Sequence, residues 1–350
     1  MVADEVDFVV GVDTHRDQHT LVVVASPSGG ELGAAVVEAR ASGYEAALAL
    51  AGERAPGRRA WAIEGTGSYG KGLARFLAER GERVLEVERP RRKQPVGRGK
   101  SDRLDALRAA RALLGEARPA VPRAAGGREA VRMLLATRAS AVAARTSALN
   151  QLRALLLSCP EPLRAELSGL TRARLIACCR SLDASGVDDL ELHGALQALR
   201  LVAARVHALT IEARELEHEL LRLSRQLIPA LLAERGVGPI TAAQIFVSWS
   251  HHGRFASEAA FAHHAGAAPI PASSGITTRH RLDRGGDRKL NYALHQIVIS
   301  RRKNDPNTIA YIQRRRAEGK TDRDTIRSLK RYLARHLYRT LEATPRPLDS

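Results

Sequence analysis

Short apolar runs separated by turn residues dominate the first part of the chain, and each run has the length of a strand. Polar and glycine-rich residues bound these runs, which is typical of strands joined by turns or short connections. Elsewhere in this region, apolar residues recur with the spacing of an amphipathic helix. The pattern predicts strands at 8–13, 20–25, 32–37, 59–64 and 83–87, with helices at 41–50 and 72–80.

A further helix is predicted after a linker at 89–99 that is rich in Pro, Arg, Lys and Gly. Ser101 is a residue type that favours the N-cap position, so Asp102 begins the first turn of this helix. The resulting order is three antiparallel strands, helix, strand, helix, strand, linker and helix. This is the order of the RNase H-like fold, and the sequence therefore predicts an α/β, RNase H-like domain over 1–115.

The middle of the chain has the periodicity of long helices. One predicted helix covers 128–157 and ends before Pro160, and another contains apolar residues in alternating steps of three and four. That spacing predicts the a/d seam of a coiled coil. The seam residues are Leu199, Val202, Val206, Leu209, Ala213, Leu216, Leu220, Leu223 and Leu227. They could pack against the 128–157 helix or against another subunit, so a helical, coiled-coil domain is predicted over 126–230.

The last part of the chain, 231–350, is predicted to be a mainly helical domain. Within it, 231–243 resembles a helix-hairpin-helix element, in which Gly236 and Gly238 would bring backbone N–H groups close to a phosphate. The alternative is an ordinary helix turn that contains glycine. A basic helical stretch over 314–339 follows, and we expect it to face solvent or nucleic acid.

The charge balance indicates the kind of partner. The 350 residues include 55 Lys and Arg against 38 Asp and Glu, which gives a formal net charge of +17. This surplus favours nucleic acid over an anionic membrane surface, because no basic amphipathic anchor stands out. Aromatic residues make up 4% of the chain, which argues against base stacking as the main mode of binding.

Cysteine spacing and the N-terminal sequence exclude several other classes. Cys159, Cys178 and Cys179 fit no zinc pattern, and their odd number argues against a disulfide framework. The N-terminal residues lack the basic region of a signal peptide, and no apolar run reaches the length of a membrane span. A cytoplasmic protein without a membrane partner is therefore predicted.

Four acidic residues occupy positions from which they could meet around a cation. Asp13 and Glu64 end the first and fourth strands, while Asp102 and Asp105 lie three residues apart on one face of a helix. Carboxylates brought together repel unless a cation lies between them, and oxygen ligands suit Mg²⁺ or Mn²⁺. Asp17, Glu86 and Glu88 are further candidates. The alternative for the 102/105 pair is that acids simply favour helix N-termini.

A second candidate site lies near the C-terminal end. Ser273 and Ser274 precede Gly275 in a loop that contains prolines, and the cations Arg279, Arg281 and Arg284 follow. A serine nucleophile needs cations on the phosphate oxygens and an acceptor for its proton, so this pattern resembles a phosphoryl-transfer site. The alternative is a turn serine in an open loop. A basic run, Arg91, Arg92 and Lys93, is a further candidate for binding nucleic acid.

Taken together and in order, five landmarks resemble the DEDD-type insertion-sequence transposases and recombinases. The landmarks are Gly11-Val12-Asp13, Ala62-Ile63-Glu64, Lys100-Ser101-Asp102-Arg103-Leu104-Asp105, Gly236-Val237-Gly238-Pro239, and Ser273-Ser274-Gly275 with Arg284-Gly285-Gly286-Asp287. The sequence departs from that family's usual pattern at Thr14-His15 and at Arg284-Gly285-Gly286-Asp287.

This resemblance implies a RuvC-like N-terminal domain over 1–115, a C-terminal transposase domain over 231–350, a function and a set of partners. It implies that Asp13, Glu64, Asp102 and Asp105 bind the metal and that Ser274, or the adjacent Ser273, attacks DNA. It also implies donor and target DNA as substrates, a non-coding bridge RNA as guide, and a dimer or tetramer formed through the coiled coil. Two alternatives stay open: a Holliday-junction-type endonuclease that uses water, and a coiled-coil nucleic-acid-binding protein without enzymatic activity.

Overall fold

The structure, a computed structural model, describes residues 1–87, 101–272, 280–281, 283 and 285–344. The chain forms two compact units, Met1–Ala125 and Gly126–Ser350. The predicted division of the second unit at residue 230 stays a prediction. Among the helices of the described ranges, none combines the length and the apolar character needed to cross a membrane.

A five-stranded mixed sheet is the centre of the first unit. Its strands lie in the order β3-β2-β1-β4-β5, with β1 antiparallel to β2, β2 antiparallel to β3, and both β1–β4 and β4–β5 parallel. This mixed sheet is compatible with an RNase H-like α/β domain. The elements are α1 Val2–Glu5, β1 Phe8–Thr14, β2 Gln18–Ala25, β3 Glu31–Glu38, α2 Ala41–Arg54, β4 Arg59–Glu64, α3 Lys71–Glu79, β5 Arg83–Val87 and α4 Asp102–Leu114.

The two faces of strand β4 carry side chains of different size. Because successive strand residues point to opposite faces, Trp61 and Ile63 lie on one side, in the core to which α2 and α3 contribute. Ala60 and Ala62 lie on the other side, in the core to which α4 contributes. Small residues on that face let α4 approach the backbone of the central strands.

Gly11, in the middle of β1, is the point of closest approach. A Cβ atom added to Gly11 would lie 2.8 Å from both the backbone nitrogen and the Cβ of Ala110, and it would overlap the carbonyl oxygen of Ala106. These neighbours belong to the backbone and first side-chain atoms of α4, which cannot move aside alone. Glycine at this position therefore sets the distance between β1 and α4.

We expect Gly11→Ala to lower the free energy of unfolding of the first unit by at least about 2 kcal/mol, because α4 must shift outward. Gly52→Ala, in α2, is the control, since an added Cβ there meets nothing within 4 Å. It should raise stability by about 0.5–1 kcal/mol through the better helix propensity of alanine. Urea titration followed by circular dichroism measures both. Equal stability of the two variants would contradict the close packing of α4.

Long helices and a small hairpin form the second unit. Its elements are α5 Gly127–Ser158, α6 Glu161–Ser168, α7 Arg172–Arg180, α8 Leu190–Leu227, α9 Pro229–Ala233, α10 Pro239–Trp249, α11 Glu258–His264, β6 Ile270–Pro271, β7 His280–Arg281, α12 Arg288–Asn304, α13 Pro306–Ala317 and α14 Asp322–Ala343. Helices α5 and α8 pack against each other within one chain. Leu199, Val206 and Leu220 of the predicted seam are buried. The supercoil of a coiled coil stays a prediction.

The predicted basic helical stretch over 314–339 is divided into two helices. Helix α13 ends at Ala317, and Gly319 follows with a φ of 75°, a left-handed conformation that glycine adopts without strain. Helix α14 then begins after Thr321, whose side chain accepts a hydrogen bond from the Asp324 N–H. The break places the last turn of α13 and the first turns of α14 side by side.

Candidate active site

Asp13 lies near the carboxyl end of β1, and the residue is only 4% exposed. Strands β1 and β4 are parallel, and the last pair of neighbouring residues in their register is Val12 and Ile63. Asp13 and Glu64 are therefore the next residues along two neighbouring strands, and strand alternation places both side chains on the face that α4 covers. Sequence and topology thus bring the two strand-end acids to the same edge of the sheet.

The other two acids lie in the first turn of α4. Helix α4 begins at Asp102, with Ser101 at the N-cap position as the sequence predicts, although the serine side chain makes no capping hydrogen bond. Asp102 and Asp105 both belong to that first turn. Because α4 packs closely on β1 at Gly11, its N-terminal end is held beside the carboxyl end of the strand.

A three-residue cluster of Asp13, His15 and Asp102 results from this packing. Each residue offers one ligand atom, and these atoms all lie within 4.8 Å of one another. The Nε2 atom of His15 lies 3.1 Å from Oδ2 of Asp13 and 3.6 Å from Oδ1 of Asp102. The imidazole therefore lies between two carboxylates.

The chemistry of this cluster fits a divalent cation. Two carboxylates with one of them buried repel each other unless positive charge is near, and carboxylate oxygens are the ligands that Mg²⁺ and Mn²⁺ prefer. An imidazole nitrogen suits Zn, Cu, Fe and Ni ions, whereas Mg²⁺ and Mn²⁺ are held mainly by oxygen ligands. The residues present are thus compatible with a divalent metal.

Glu64 and Asp105, the other two predicted ligands, are not members of this cluster in the described part of the chain. The carboxylate of Asp105 pairs with the guanidinium of Arg108, at 2.8 Å. The backbone carbonyl of Glu64 accepts a hydrogen bond from the Thr14 hydroxyl at 2.9 Å, which ties the ends of β4 and β1 together. Their participation in a metal site stays a prediction.

The additional acidic candidates are placed elsewhere. Asp17 lies at the surface, with 89% of its side chain exposed, and it contacts Arg16. Glu86 pairs with Ile63 in the sheet register, so alternation places it on the face opposite to α4. Glu88 lies outside the described residues.

His15 is the cluster residue that was not among the predicted metal ligands. In the sequence it stands out only because Thr14-His15 departs from the family's usual pattern. The signal that could have found it is its spacing, because a residue two positions after Asp13 along an extended backbone points to the same side.

Most of the residues predicted to contact nucleic acid or to attack it lie outside the described part. These residues are Arg91, Arg92, Lys93, Ser273, Ser274, Arg279 and Arg284. Arg281 is described and exposed, at the end of the short strand β7. Gly236 and Gly238 lie in the turn between α9 and α10, where the Gly238 N–H donates to the Thr241 hydroxyl at 3.0 Å. Phosphate binding at this turn stays a prediction.

The segment around Asp287 is held by its own hydrogen bonds. Asp287 caps α12, because its Oδ1 accepts from the N–H groups of Lys289 and Leu290, while its Oδ2 accepts from the Ser248 hydroxyl at 2.7 Å. Burial alone raises the pKa of this carboxyl, but the hydrogen bonds from Leu290, Ser248 and Lys289 and the nearby charge of His264 together outweigh burial, and the pKa lies below its usual value. A Cβ added to Gly286 would overlap the backbone of Gly266. The glycine-aspartate pair therefore has a structural role.

Comparisons with known proteins match most of the chain to one family. A family model for DEDD-type transposases of IS110 matches residues 10–160. A second family model, described as a transposase of the IS116/IS110/IS902 family, matches residues 229–313. The chain is also similar to "Insertion element IS110 uncharacterized 43.6 kDa protein" of Streptomyces coelicolor, with 32% identity over 133 residues. That match covers 37% of this chain and 33% of the relative. Since both models and the relative agree, the chain belongs to the IS110 family of transposases.

Proposed function

We propose that this chain is a DNA-recombining enzyme of a mobile element, which cuts and rejoins DNA strands at a metal-binding acidic site in its first unit. The observation that carries the proposal is the cluster of Asp13, His15 and Asp102 where the carboxyl end of β1 meets the first turn of α4. The family matches supply the substrate class, because a transposase acts on DNA. The predicted tetrad of Asp13, Glu64, Asp102 and Asp105 remains the proposed metal-binding set.

Each residue has a proposed task in this site. Asp13 and Asp102 hold the cation from the strand and the helix, and Glu64 and Asp105 complete the oxygen ligands. His15 holds the Asp13 carboxylate in place through its 3.1 Å contact. When bound, Mg²⁺ or Mn²⁺ would polarise the scissile phosphate and stabilise the charge that develops on it.

The proposed nucleophile is the hydroxyl of Ser274, with Ser273 as the neighbouring alternative. Its oxygen forms a bond to phosphorus while the bond from phosphorus to the departing sugar oxygen breaks. The serine proton leaves to a base, and the departing oxygen takes up a proton. Because the phosphoserine bond keeps the energy of the broken phosphodiester, rejoining to a second strand needs no external energy source.

Nucleic acid and further copies of the chain are the proposed partners. The net charge of +17 suits the phosphate backbones of donor DNA, target DNA and a non-coding bridge RNA. A homo-oligomer is also proposed, although the seam of α8 is already packed against α5 of the same chain. An oligomer formed through that seam would therefore require α5 and α8 to separate.

Sequencing the RNA that co-purifies with the protein tests whether a bridge RNA is bound. A cleavage assay on DNA that carries the element ends tests whether the protein cuts DNA with a metal. We expect an RNA that maps to DNA flanking the protein's own gene, and strand breaks that form with Mg²⁺ and stop with EDTA. Breaks without any specific RNA would remove the guide from the proposal. A specific RNA without metal-dependent breaks, on DNA with both element ends, would contradict the proposed activity.

A further inference from the structure

A cationic cleft with a volume of about 500 Å³ lies in the second unit. The loop at 266–269, the end of the hairpin at β7, the last turn of α13 and the first turns of α14 form its walls. Six cations against one acid, Asp324, give it a strong positive charge. The cations are Arg281, Arg315, Lys320, Arg327, Lys330 and Arg331.

Only part of this charge is neutralised. Arg327 pairs with Asp324 at 2.9 Å, and Arg315 pairs with Glu318. Within the described ranges, the cations Arg281, Lys320 and Arg331 form no ion pair with a carboxylate. Cations confined in one cleft without counter-ions repel each other, and an anion in the cleft would relieve that repulsion.

One buried donor in the wall lacks a partner. The Nε atom of Arg315 is buried, and no acceptor among the described residues lies within hydrogen-bonding distance of it. A buried donor without an acceptor destabilises the structure, and an oxygen that reached it would relieve that cost.

Lys330 and the loop are held in place by one side chain. The amide oxygen of Asn291 accepts from the ammonium group of Lys330 at 2.8 Å, and the amide nitrogen of Asn291 donates to the carbonyls of Ala265 and Gly266. The ammonium group is half-buried, and burial, assisted by the nearby charge of Arg327, lowers its pKa. The ammonium group of Lys330 therefore has a fixed position in the wall of the cleft.

We propose that this cleft binds the phosphodiester backbone of duplex DNA. The choice of DNA as the ligand rests on the proposed function. None of the described residues that line the cleft is aromatic, so its side chains suit phosphate oxygens and not stacked bases. Binding is consequently independent of base sequence and depends steeply on salt.

The test uses the full-length chain with Asp102→Asn, which prevents cleavage, and adds Lys320→Gln with Arg331→Gln. Both side chains are exposed and make no ion pair in the described ranges, so the fold should be retained. We expect the Kd for a labelled DNA duplex to rise about 60-fold at 0.1 M salt, because each lost phosphate contact removes roughly 0.9 from the log–log salt slope. Fluorescence anisotropy over a salt series measures both quantities.

The matched control removes two exposed arginines of α8, Arg214→Gln with Arg225→Gln, and thus the same net charge. We expect it to change the Kd much less, and both variants to melt at the temperature of the parent. Equal loss of affinity in the two variants would overturn the cleft as a binding site. Loss of affinity for an RNA of the same sequence but not for the duplex would overturn the assignment to DNA. Cleavage by the wild-type chain is scored separately, so failure of the activity is distinguishable from failure of the cleft.

Discussion

Replacing Asp13 with Asn is expected to lower metal-dependent DNA cleavage by about 10³-fold, which corresponds to roughly 4 kcal/mol of transition-state stabilisation. Asn has the shape of Asp but no charge, so the cluster would lose its most buried ligand while the packing of β1 is kept. Asp102, Glu64 and Asp105 would then have to hold the cation without it. Cleavage rates at saturating DNA over a series of Mg²⁺ and Mn²⁺ concentrations measure the effect.

The matched control is Asp17→Asn, the same chemical change at a side chain that is 89% exposed and four residues away. Its cleavage rate should equal that of the parent. DNA affinity should be unchanged or slightly higher in Asp13→Asn, because one negative charge is removed. Full cleavage by Asp13→Asn, or an equal loss in both variants, would show that the cluster is not the catalytic centre.

Ser274→Ala is expected to abolish the covalent link between protein and DNA, with strand exchange reduced by at least about 10⁴-fold. Alanine has no hydroxyl, so no phosphoserine can form even though the acids still bind metal. Denaturing gels of end-labelled DNA after proteinase digestion show the adduct as a slower band. Ser273→Ala is the control beside it and should keep the adduct.

This pair of serine variants separates the remaining alternatives. A junction-resolving endonuclease that uses water would cut DNA equally well with alanine at either position and would never form an adduct. A nucleic-acid-binding protein without activity would bind DNA in every variant, Asp102→Asn included, and would show no metal-dependent breaks. An adduct that disappears with Ser273→Ala and persists with Ser274→Ala would move the nucleophile by one residue.

Much of the first unit could be predicted from local patterns. Apolar runs of strand length, bounded by turn residues, gave all five strands to within two residues, and the helices between them follow in the predicted order. These signals are local, because strand alternation and turn chemistry depend on neighbours in sequence. The family was also predicted correctly, since its landmarks are short sequence motifs in a fixed order.

Other features depend on contacts between distant residues and were not predicted. The meeting of His15 with Asp102 requires the packing of α4 on β1, which no motif encodes. Asp105 has the sequence spacing of a ligand, but its contact with Arg108 on the same helix could not be read from that spacing, and its role as a ligand stays a prediction. The heptad spacing of α8 indicates a buried seam but does not identify the helix that packs on it. In the structure, α5 packs against α8. The cleft combines residues up to 65 positions apart in the chain, such as Gly266 and Arg331.

The glycine contact between β1 and α4 has a practical consequence for experiments on this chain. Steric fit, and not attraction between charges, sets the spacing of that helix and strand, so neutral substitutions at the acids should leave the domain folded. Inactive proteins with native architecture can therefore be made, and they are suited to trapping uncut nucleic acid for structure determination.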